Sequence, residues 1–486
     1  MEQFYQVLTW IGIFAYWLLI AAVTVRVVFK RRAVGVSLAW MMIIYIVPIG
    51  GVIAYLLFGE LNLGKKRAER AREMFFPFQS WFQCLTDCPD HMPQKMSDVA
   101  KPINDLCENR FGLPGLVGNH LSLKSSTDEI LRALIDDINN AQHSIHLEFY
   151  IWYPGGLADE VGVALIKAAK RGIKIRVLLD SAGSMRFFRS HWPKLIRGAG
   201  IDLVEALAVS PFRMFLRRLD LRQHRKIVVI DDNIAYTGSM NLVDPAFFKV
   251  DAGVGQWVDV MVRISGPTVS VLNCIQAWDW EVETGQRFLP PLPTCQIPTE
   301  DEPEYDTVQV IPSGPGMPDD IIHQVLLLSI YQAKKSIVIT TPYFVPSEHL
   351  LHAMKGAAER NIDVHIVLPD KNDSTMVEWA SRSFFSDLLK SGVHIHRFHG
   401  GLLHTKSVVI DDTHCLIGTV NLDMRSLWLN FEVTMAVDNL EFTHKLSQLQ
   451  QSYIADSEPV DKEQWEKRSV RNKFGERFFY MFSPLL

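Results

Sequence analysis

Two long apolar stretches open the chain, and beyond them the apolar positions fall into short, regular groups. Val7–Val25 carries no charge over 19 residues, about the length a helix needs to cross a ~30 Å hydrocarbon core. Ser37–Phe58 is a second apolar run, interrupted by Pro48, Gly50 and Gly51. The interruption predicts a segment that kinks or re-enters rather than running straight. Trp10, Tyr16, Trp17, Trp40, Tyr45 and Tyr55 lie within the two runs, and some of them suit a membrane interface. No basic stretch precedes the first run, so it reads as an anchor rather than a cleaved signal peptide. Residues 1–60 are therefore expected to be a membrane anchor of two transmembrane or membrane-embedded helices, followed by a basic juxtamembrane linker over 61–109.

From about residue 110 the pattern repeats at domain scale. One series runs SIHLEFYIW (144–152), ALIKAAKRGIKIRVLLD (164–180), GIDLVEAL (200–207) and a motif starting at His224. The other runs SIVITTPYF (336–344), HAMKGAAERNIDVHIVLPD (352–370), GVHIHRF (392–398) and a motif starting at His404. Short β-rich apolar runs alternate with helical patterns in both. That order predicts an α/β protein of two homologous halves packed face to face, 110–289 and 307–486. The Pro- and acid-rich segment 290–306 reads as the linker between them.

Each motif reads as a hairpin. In HRKIVVIDDNIAYTGSMN (224–241), KIVVI is a strand, Asp231-Asp232-Asn233 is turn chemistry and IAYTGS is the return strand. Alternation puts His224 and Lys226 on one face, and the return strand lays Ser239 and Asn241 beside them. HTKSVVIDDTHCLIGTVN (404–421) repeats the construction with His404, Lys406, Thr419 and Asn421. Lysine, amide and hydroxyl groups at that spacing suit the non-bridging oxygens of a phosphate. Phosphodiester exchange through a covalent intermediate needs one imidazole to attack phosphorus and another to protonate the leaving oxygen. Two facing motifs supply both, so the duplication predicts one site built from two halves. Asp231 and Asp411 lie seven residues from their histidines, an odd number; alternation turns them to the opposite face, as turn-forming or structural groups. Asp259 in WVDVMV and Glu432 in FEVTMA are carboxylates inside apolar runs, which are costly there without a partner. They are the candidates for orienting the imidazoles.

Composition changes this picture little. The 486 residues carry a net charge of −5, so no global basic field points to nucleic acid. Six sparse cysteines imply no disulfide framework and fit a reducing compartment. Cys84, Cys88 and His91 lack a fourth ligand, and no metal is expected. Arg26, Lys30, Arg31 and Arg32 follow the first apolar run, and Lys65, Lys66, Arg67, Arg70 and Arg72 follow the second. Both clusters are basic, so charge bias gives no clean topology. The larger cluster abuts the α/β part, which favours placing that part in the cytoplasm. Arg213, Arg217, Arg218, Arg222 and Arg225 precede the first motif and read either as a headgroup-gathering patch or as a solvated loop. The tail 468–486 mixes basic residues with Phe474, Phe478, Phe479, Tyr480, Met481 and Phe482; it either lies on a membrane surface or packs on the core.

Two HxKxxxxD motifs sharing Gly238/Gly418 and Asn241/Asn421 make the chain, from about 110 to 486, resemble the phospholipase D superfamily. The front apolar runs, EFYIW and TPYF make it most similar to the bacterial cardiolipin synthases. Thr419 stands where many members have Ser. The resemblance implies two α/β halves sharing a site at their interface, with His224, Lys226, Asp231, His404, Lys406 and Asp411 as the catalytic set. It implies a phosphohistidine and no metal or other cofactor. It also implies an enzyme of the bacterial inner membrane that joins two phosphatidylglycerol molecules into cardiolipin and releases glycerol. Within that scheme His224 is taken as the attacking imidazole and His404 as the one handling the proton, although symmetry permits the reverse. A membrane-bound phospholipase D, a phosphatidylserine synthase, a nuclease of the same superfamily (expected to carry more positive charge and to have less need of an anchor) and a non-catalytic scaffold are the alternatives. Oligomeric state is not legible.

Overall fold

The computed structural model describes residues 1–30, 34–59, 65–88, 91–208, 220–293, 306–318 and 320–483. Arg31, Arg32, Arg213, Arg217, Arg218 and most of the expected linker 290–306 lie outside them. The chain divides into two compact units: residues 1–68 with 209–221, and residues 69–208 with 222–486.

The first unit contains α1 (Glu2–Phe29), α2 (Val34–Ile46) and α3 (Pro48–Ala54), which runs into a π turn at Tyr55–Gly59. Only Gln3–Phe29 is, among the described residues, long and apolar enough to cross a membrane. The second apolar run is broken where Pro48, lacking an N–H, starts a new helix. Ile20, Val23, Val27, Ile44, Val52 and Tyr55 pack together, while Trp10, Phe14 and Trp17 point outward with more than half their surface exposed. A helix apolar on its outer face is suited to lipid rather than water.

The expected basic linker is not a linker in the structure. It contains α4 (Lys65–Thr86) and α5 (Ala100–Phe111). Met74, Phe78, Trp81, Ile103 and Cys107 of these helices belong to the main hydrophobic core. Cys84, Cys107, Cys274 and Cys415 are free thiols, but Cys88 is disulfide-bonded. The expectation of unpaired cysteines in a reducing compartment therefore fails at Cys88, which is not available as the thiolate a zinc ion would need.

The first half contains β1 (Leu116–Lys124), α6 (Thr127–Asn140), β2 (Ser144–Phe149), α7 (Gly156–Lys170), β3 (Lys174–Asp180), α8 (Met185–Phe188), α9 (Trp192–Gly198) and β4 (Asp202–Ala206). It continues through the hairpin β5 (Ile227–Ile230) and β6 (Ile234–Gly238), then β7 (Trp257–Val258), β8 (Met261–Ser265) and α10 (Thr268–Thr284). The second half has β9 (Asp306–Ser313), α11 (Ile321–Gln332), β10 (Ser336–Thr340), α12 (Glu348–Glu359), β11 (Asp363–Pro369), α13 (Thr375–Lys390), β12 (His394–Phe398) and β13 (Leu402–Leu403). Its hairpin is β14 (Ser407–Ile410) and β15 (His414–Gly418), followed by α14 (Met424–Trp428), β16 (Glu432–Asp438), α15 (Leu440–Ala455), β17 (Ser457–Pro459), α16 (Lys462–Glu466) and α17 (Val470–Tyr480).

All of these strands except β7 and β13 form one sheet of 15 strands, in the order β4-β3-β2-β5-β6-β8-β1-β9-β16-β15-β14-β10-β11-β12-β17. The order reads the same outward from its centre in both directions, with β17 as an extra edge strand. The two halves are therefore joined edge to edge, through the antiparallel β1–β9 ladder, rather than by one face packing on the other. The ladders β2–β3–β4 and β10–β11–β12 are parallel. Their strands are buried on both faces because helical crossovers cover them; SIVIT is accordingly mainly apolar, while SIHLEF alternates and buries His146 and Glu148 as well as its apolar residues. β7 and β13 pair only with each other, one from each half.

Candidate active site

Both motif hairpins turn on two consecutive aspartates at positive φ: Asp231 and Asp232 at 53° and 54°, Asp411 and Asp412 at 53° and 54°. Two such residues mark the tight type I′ turn whose twist matches that of paired strands. Left-handed backbone costs a residue with a Cβ, and the Asp231 carboxylate offsets that cost. It accepts from the backbone N–H of Gln142, His143 and Ser144 at 2.7–2.9 Å. Asp411 does the same with Lys334, Lys335 and Ser336. Each aspartate thus ties its hairpin to the start of the neighbouring strand, β2 or β10. Neither lies on the wall of the cleft that contains the histidines. The contacts the structure gives them are those of hairpin supports.

Gly238 and Gly418 are needed for close approach. A Cβ on Gly238 would lie 2.4 Å from the Val260 carbonyl oxygen, and one on Gly418 2.3 Å from that of Val433. The hairpin therefore presses against the next strand, and the following residue, Ser239 or Thr419, lands beside that strand's carboxylate.

His224 and His404 line one cleft of about 410 Å³. His224 Nδ1 lies 2.8 Å from Glu432 Oε2, and His404 Nδ1 lies 2.7 Å from Asp259 Oδ1. Each imidazole is thus oriented by a carboxylate from the opposite half. The exchange is built by backbone. His224 N–H donates to Phe431 O and Phe431 N–H to Arg222 O, and β13 beside β7 carries His404 past Val258, whose carbonyl accepts from the His404 N–H at 2.8 Å. With Nδ1 committed, Nε2 is the nitrogen left to the cleft. Tyr150 packs against the His224 ring at 5.1 Å and Trp257 against His404 at 4.2 Å.

Ser239 Oγ donates to Asp259 at 2.6 Å, and Thr419 Oγ1 donates to Glu432 at 2.5 Å. The hydroxyls expected to touch substrate instead hold the carboxylates that hold the imidazoles. Asn241 and Asn421 do line the cleft; Asn241 is braced by the Ile151 N–H at 3.1 Å. Lys226 and Lys406 are fully buried behind the histidines, each Nζ donating to the carbonyl of its own motif histidine at 2.6 Å.

Burial dominates the electrostatics. It pulls both imidazoles down to about 4, against the upward pull of their carboxylates. It lowers Lys226 to about 7 and Lys406 to about 8. Burial alone would raise Glu432 and Asp259, but the facing imidazoles and lysines outweigh it and keep both below the ordinary carboxylate range. Burial thus favours the neutral, nucleophilic form of each imidazole, and the facing ionised carboxylate is what allows one of the pair to keep the proton that an acid needs.

Some cleft residues were not singled out from the sequence. Tyr150 and Tyr343 both line it; their signal was an aromatic just after the equivalent strand of each repeat. Arg425 also lines it without any such signal. Of the basic stretch before the first motif, Arg222 reaches the cleft and Arg225 is wholly buried, so neither reads as a solvated loop residue.

Residues 134–272 and 326–453 match the family described as Cardiolipin synthase, PLD-like domain, and residues 18–60 match Phospholipase D-nuclease N-terminal. The chain belongs to the cardiolipin synthase family. The two matched segments bracket the two motifs, one in each half. Cardiolipin synthase A of Yersinia pseudotuberculosis serotype O:1b and that of Yersinia pestis bv. Antiqua (strain Angola) are each 55% identical over all 486 residues, covering the whole of both chains. The crystal structure of phosphatidylserine synthase from Haemophilus influenzae Rd KW20 has the same fold at 16% identity, with a TM-score of 0.56 over 79% of this chain and 97% of that one.

Proposed function

We propose that this chain is a membrane-bound phospholipid transphosphatidylase, a cardiolipin synthase that converts two phosphatidylglycerol molecules into cardiolipin and glycerol. The observation that carries the reaction class is the pair of imidazoles on one cleft, each held by the other half's carboxylate. The choice of lipids follows the full-length relatives. In the first step, Nε2 of one imidazole attacks the phosphorus of a bound phosphatidylglycerol. The phosphorus–oxygen bond to glycerol breaks, and the second imidazole gives that oxygen its proton. In the second step the primary hydroxyl of another phosphatidylglycerol passes its proton to the second imidazole and attacks the phosphohistidine; the phosphorus–nitrogen bond breaks and cardiolipin leaves. Asn241 and Asn421, which line the cleft, would donate to the phosphoryl oxygens. The charges of Lys226 and Lys406 stand behind the imidazoles and favour an anionic phosphoryl group.

The apolar helix Gln3–Phe29 and the shorter apolar helices Val36–Ile46 and Pro48–Leu57 support membrane association; we extend this to a multi-pass anchor in a bacterial inner membrane, with the catalytic part on the cytoplasmic side next to the larger basic cluster.

The test is purified full-length protein in mixed micelles with labelled phosphatidylglycerol as the only phospholipid. Cardiolipin and glycerol in equal amounts are expected, with an acid-labile lipid adduct on the denatured enzyme. Phosphatidic acid alone would make the protein a hydrolase. Unchanged product formation in His224→Ala and His404→Ala proteins would reduce the cleft to a structural feature.

A further inference from the structure

The C-terminal helix α17 (Val470–Tyr480) carries its polarity the wrong way round for a helix on a water-soluble surface. The side facing the protein is anchored by a charged pair: Glu476 is buried and accepts from Arg468 Nε and Nη2 at 3.0 and 2.7 Å. Phe479 packs near Trp379 and Tyr480 near Phe384, both on α13 (Thr375–Lys390). The outward side is apolar. Val470 is 83% exposed, Phe474 70%, Phe478 47% and Met481 74%. These positions recur at steps of four, four and three, which places them on one face. The Phe474 and Phe478 rings stack on each other, and Phe478 meets Phe482, so the exposed atoms form a continuous stripe. On the helical wheel the exposed Arg471 and Arg477 flank that stripe on its two sides. An apolar stripe edged by cations fits an anionic lipid surface, with the rings below the headgroups and the arginines among them.

The position of the helix gives that face a purpose. α17 rests on α13, and Ser374 and Val377 at the start of α13 line the catalytic cleft. Met376 between them is 38% exposed. One helix therefore connects the stripe to the mouth of the site, where a lipid must leave its bilayer to react.

We propose that the outer face of α17 is a docking surface for a bilayer rich in anionic phospholipid, seating the catalytic half on the membrane independently of the N-terminal helices. This needs no assumption about turnover. Its test is full-length protein with Cys84, the exposed free thiol among the described residues, replaced by Ser. A nitroxide is placed at Phe474→Cys, with a second site at Val470→Cys should the first variant fold poorly. Glu463→Cys on exposed α16 serves as reference. In nanodiscs containing phosphatidylglycerol, the label on α17 is expected to be more accessible to oxygen than to a nickel chelate, and the reference label the reverse. An α17 label as open to the chelate as the reference overturns the proposal. Protection from both reagents, with disulfides forming between copies of the Phe474→Cys protein, also overturns it by assigning the face to a second copy. A kinetic arm follows from the same idea. Arg471→Glu with Arg477→Glu should raise the phosphatidylglycerol surface density needed for half-maximal rate about ten-fold, while leaving turnover of a monomeric short-chain phosphatidylglycerol unchanged. An equal loss on both substrates would make the arginines structural. Absence of cardiolipin from the unaltered enzyme would sink the proposed reaction yet leave the nitroxide result standing.

Discussion

Glu432 and Asp259 act on the two imidazoles in opposition to burial, and this sets the residue-scale expectations. Removing the Glu432 charge as Glu432→Gln leaves burial unopposed, so the His224 imidazole should titrate below its present value of about 4, read by NMR of labelled histidine. Turnover should fall on the order of 10²- to 10⁴-fold, as happens when an orienting carboxylate is neutralised without loss of shape. The opposite result, turnover within two-fold of the unaltered enzyme, would remove Glu432 from the machinery. A pH effect on stability follows from the same groups. His224, His404 and His396 are all lowered to about 4 by burial, whereas an unfolded histidine titrates near 6.5. Between those values the unfolded chain takes up protons that the folded one refuses. Stability is therefore expected to fall as pH drops from about 6.5 to about 4, seen as a declining melting temperature in detergent. The two carboxylates were legible in the sequence because a charge inside an apolar strand needs a partner. The task of Ser239 and Thr419 was not, since alternation gives the face of a side chain but not which of two acceptors it chooses there.

At the scale of elements, the hairpins show how a local rule is broken for a non-local gain. Asn-Gly is the usual type I′ pair; these turns use Asp-Asp, because Asp231 and Asp411 each take three backbone N–H groups from a strand about 80 residues away. Asp231→Ala would leave those donors without their acceptor while the backbone strain remains. It should cost about 2–3 kcal/mol of stability, measured by chemical denaturation, with turnover per folded molecule nearly kept. A loss of turnover as large as that of a histidine variant, at unchanged stability, would return Asp231 to the chemistry. Odd spacing from the histidine had already turned these aspartates away from the imidazole face. The hairpin strands and the parallel βαβ runs were readable from periodicity. Helices α4 and α5 were not, because the basic residues at the head of the segment masked the apolar positions that later enter the core.

For the whole molecule, the seam between the halves contains a buried charge that the repeat does not duplicate. Arg225 is 0% exposed and pairs with Asp279 on α10, while its Nε and Nη2 donate to the carbonyls of Glu432 and Ser313 in the second half at 2.9 and 3.1 Å. The equivalent position in the second motif is Thr405. Arg225→Ala would leave Asp279 buried without its partner and two carbonyls without donors, a loss of about 3–5 kcal/mol. Replacing the pair together, Arg225→Met with Asp279→Asn, should recover much of it, because a missing pair costs less than an uncompensated ion. If the double variant is no more stable than Arg225→Ala in thermal melts, the charge pair is not what the seam depends on.

The sequence by itself determined the class of chemistry, the duplication and the α/β halves, because these are written in residue type at short spacing and in periods of two and 3.6. It also carried the apolar run for a membrane helix. Tertiary structure alone decided how the halves join, since the β1–β9 ladder depends on pairings that no local pattern encodes. It decided which carboxylate faces which imidazole: the crossing arises where residues 222–224 lie along 431 and β13 lies along β7, contacts made between segments more than 140 residues apart. A pattern read along the chain reports which faces are alike. Only the folded backbone determines which of those faces meet.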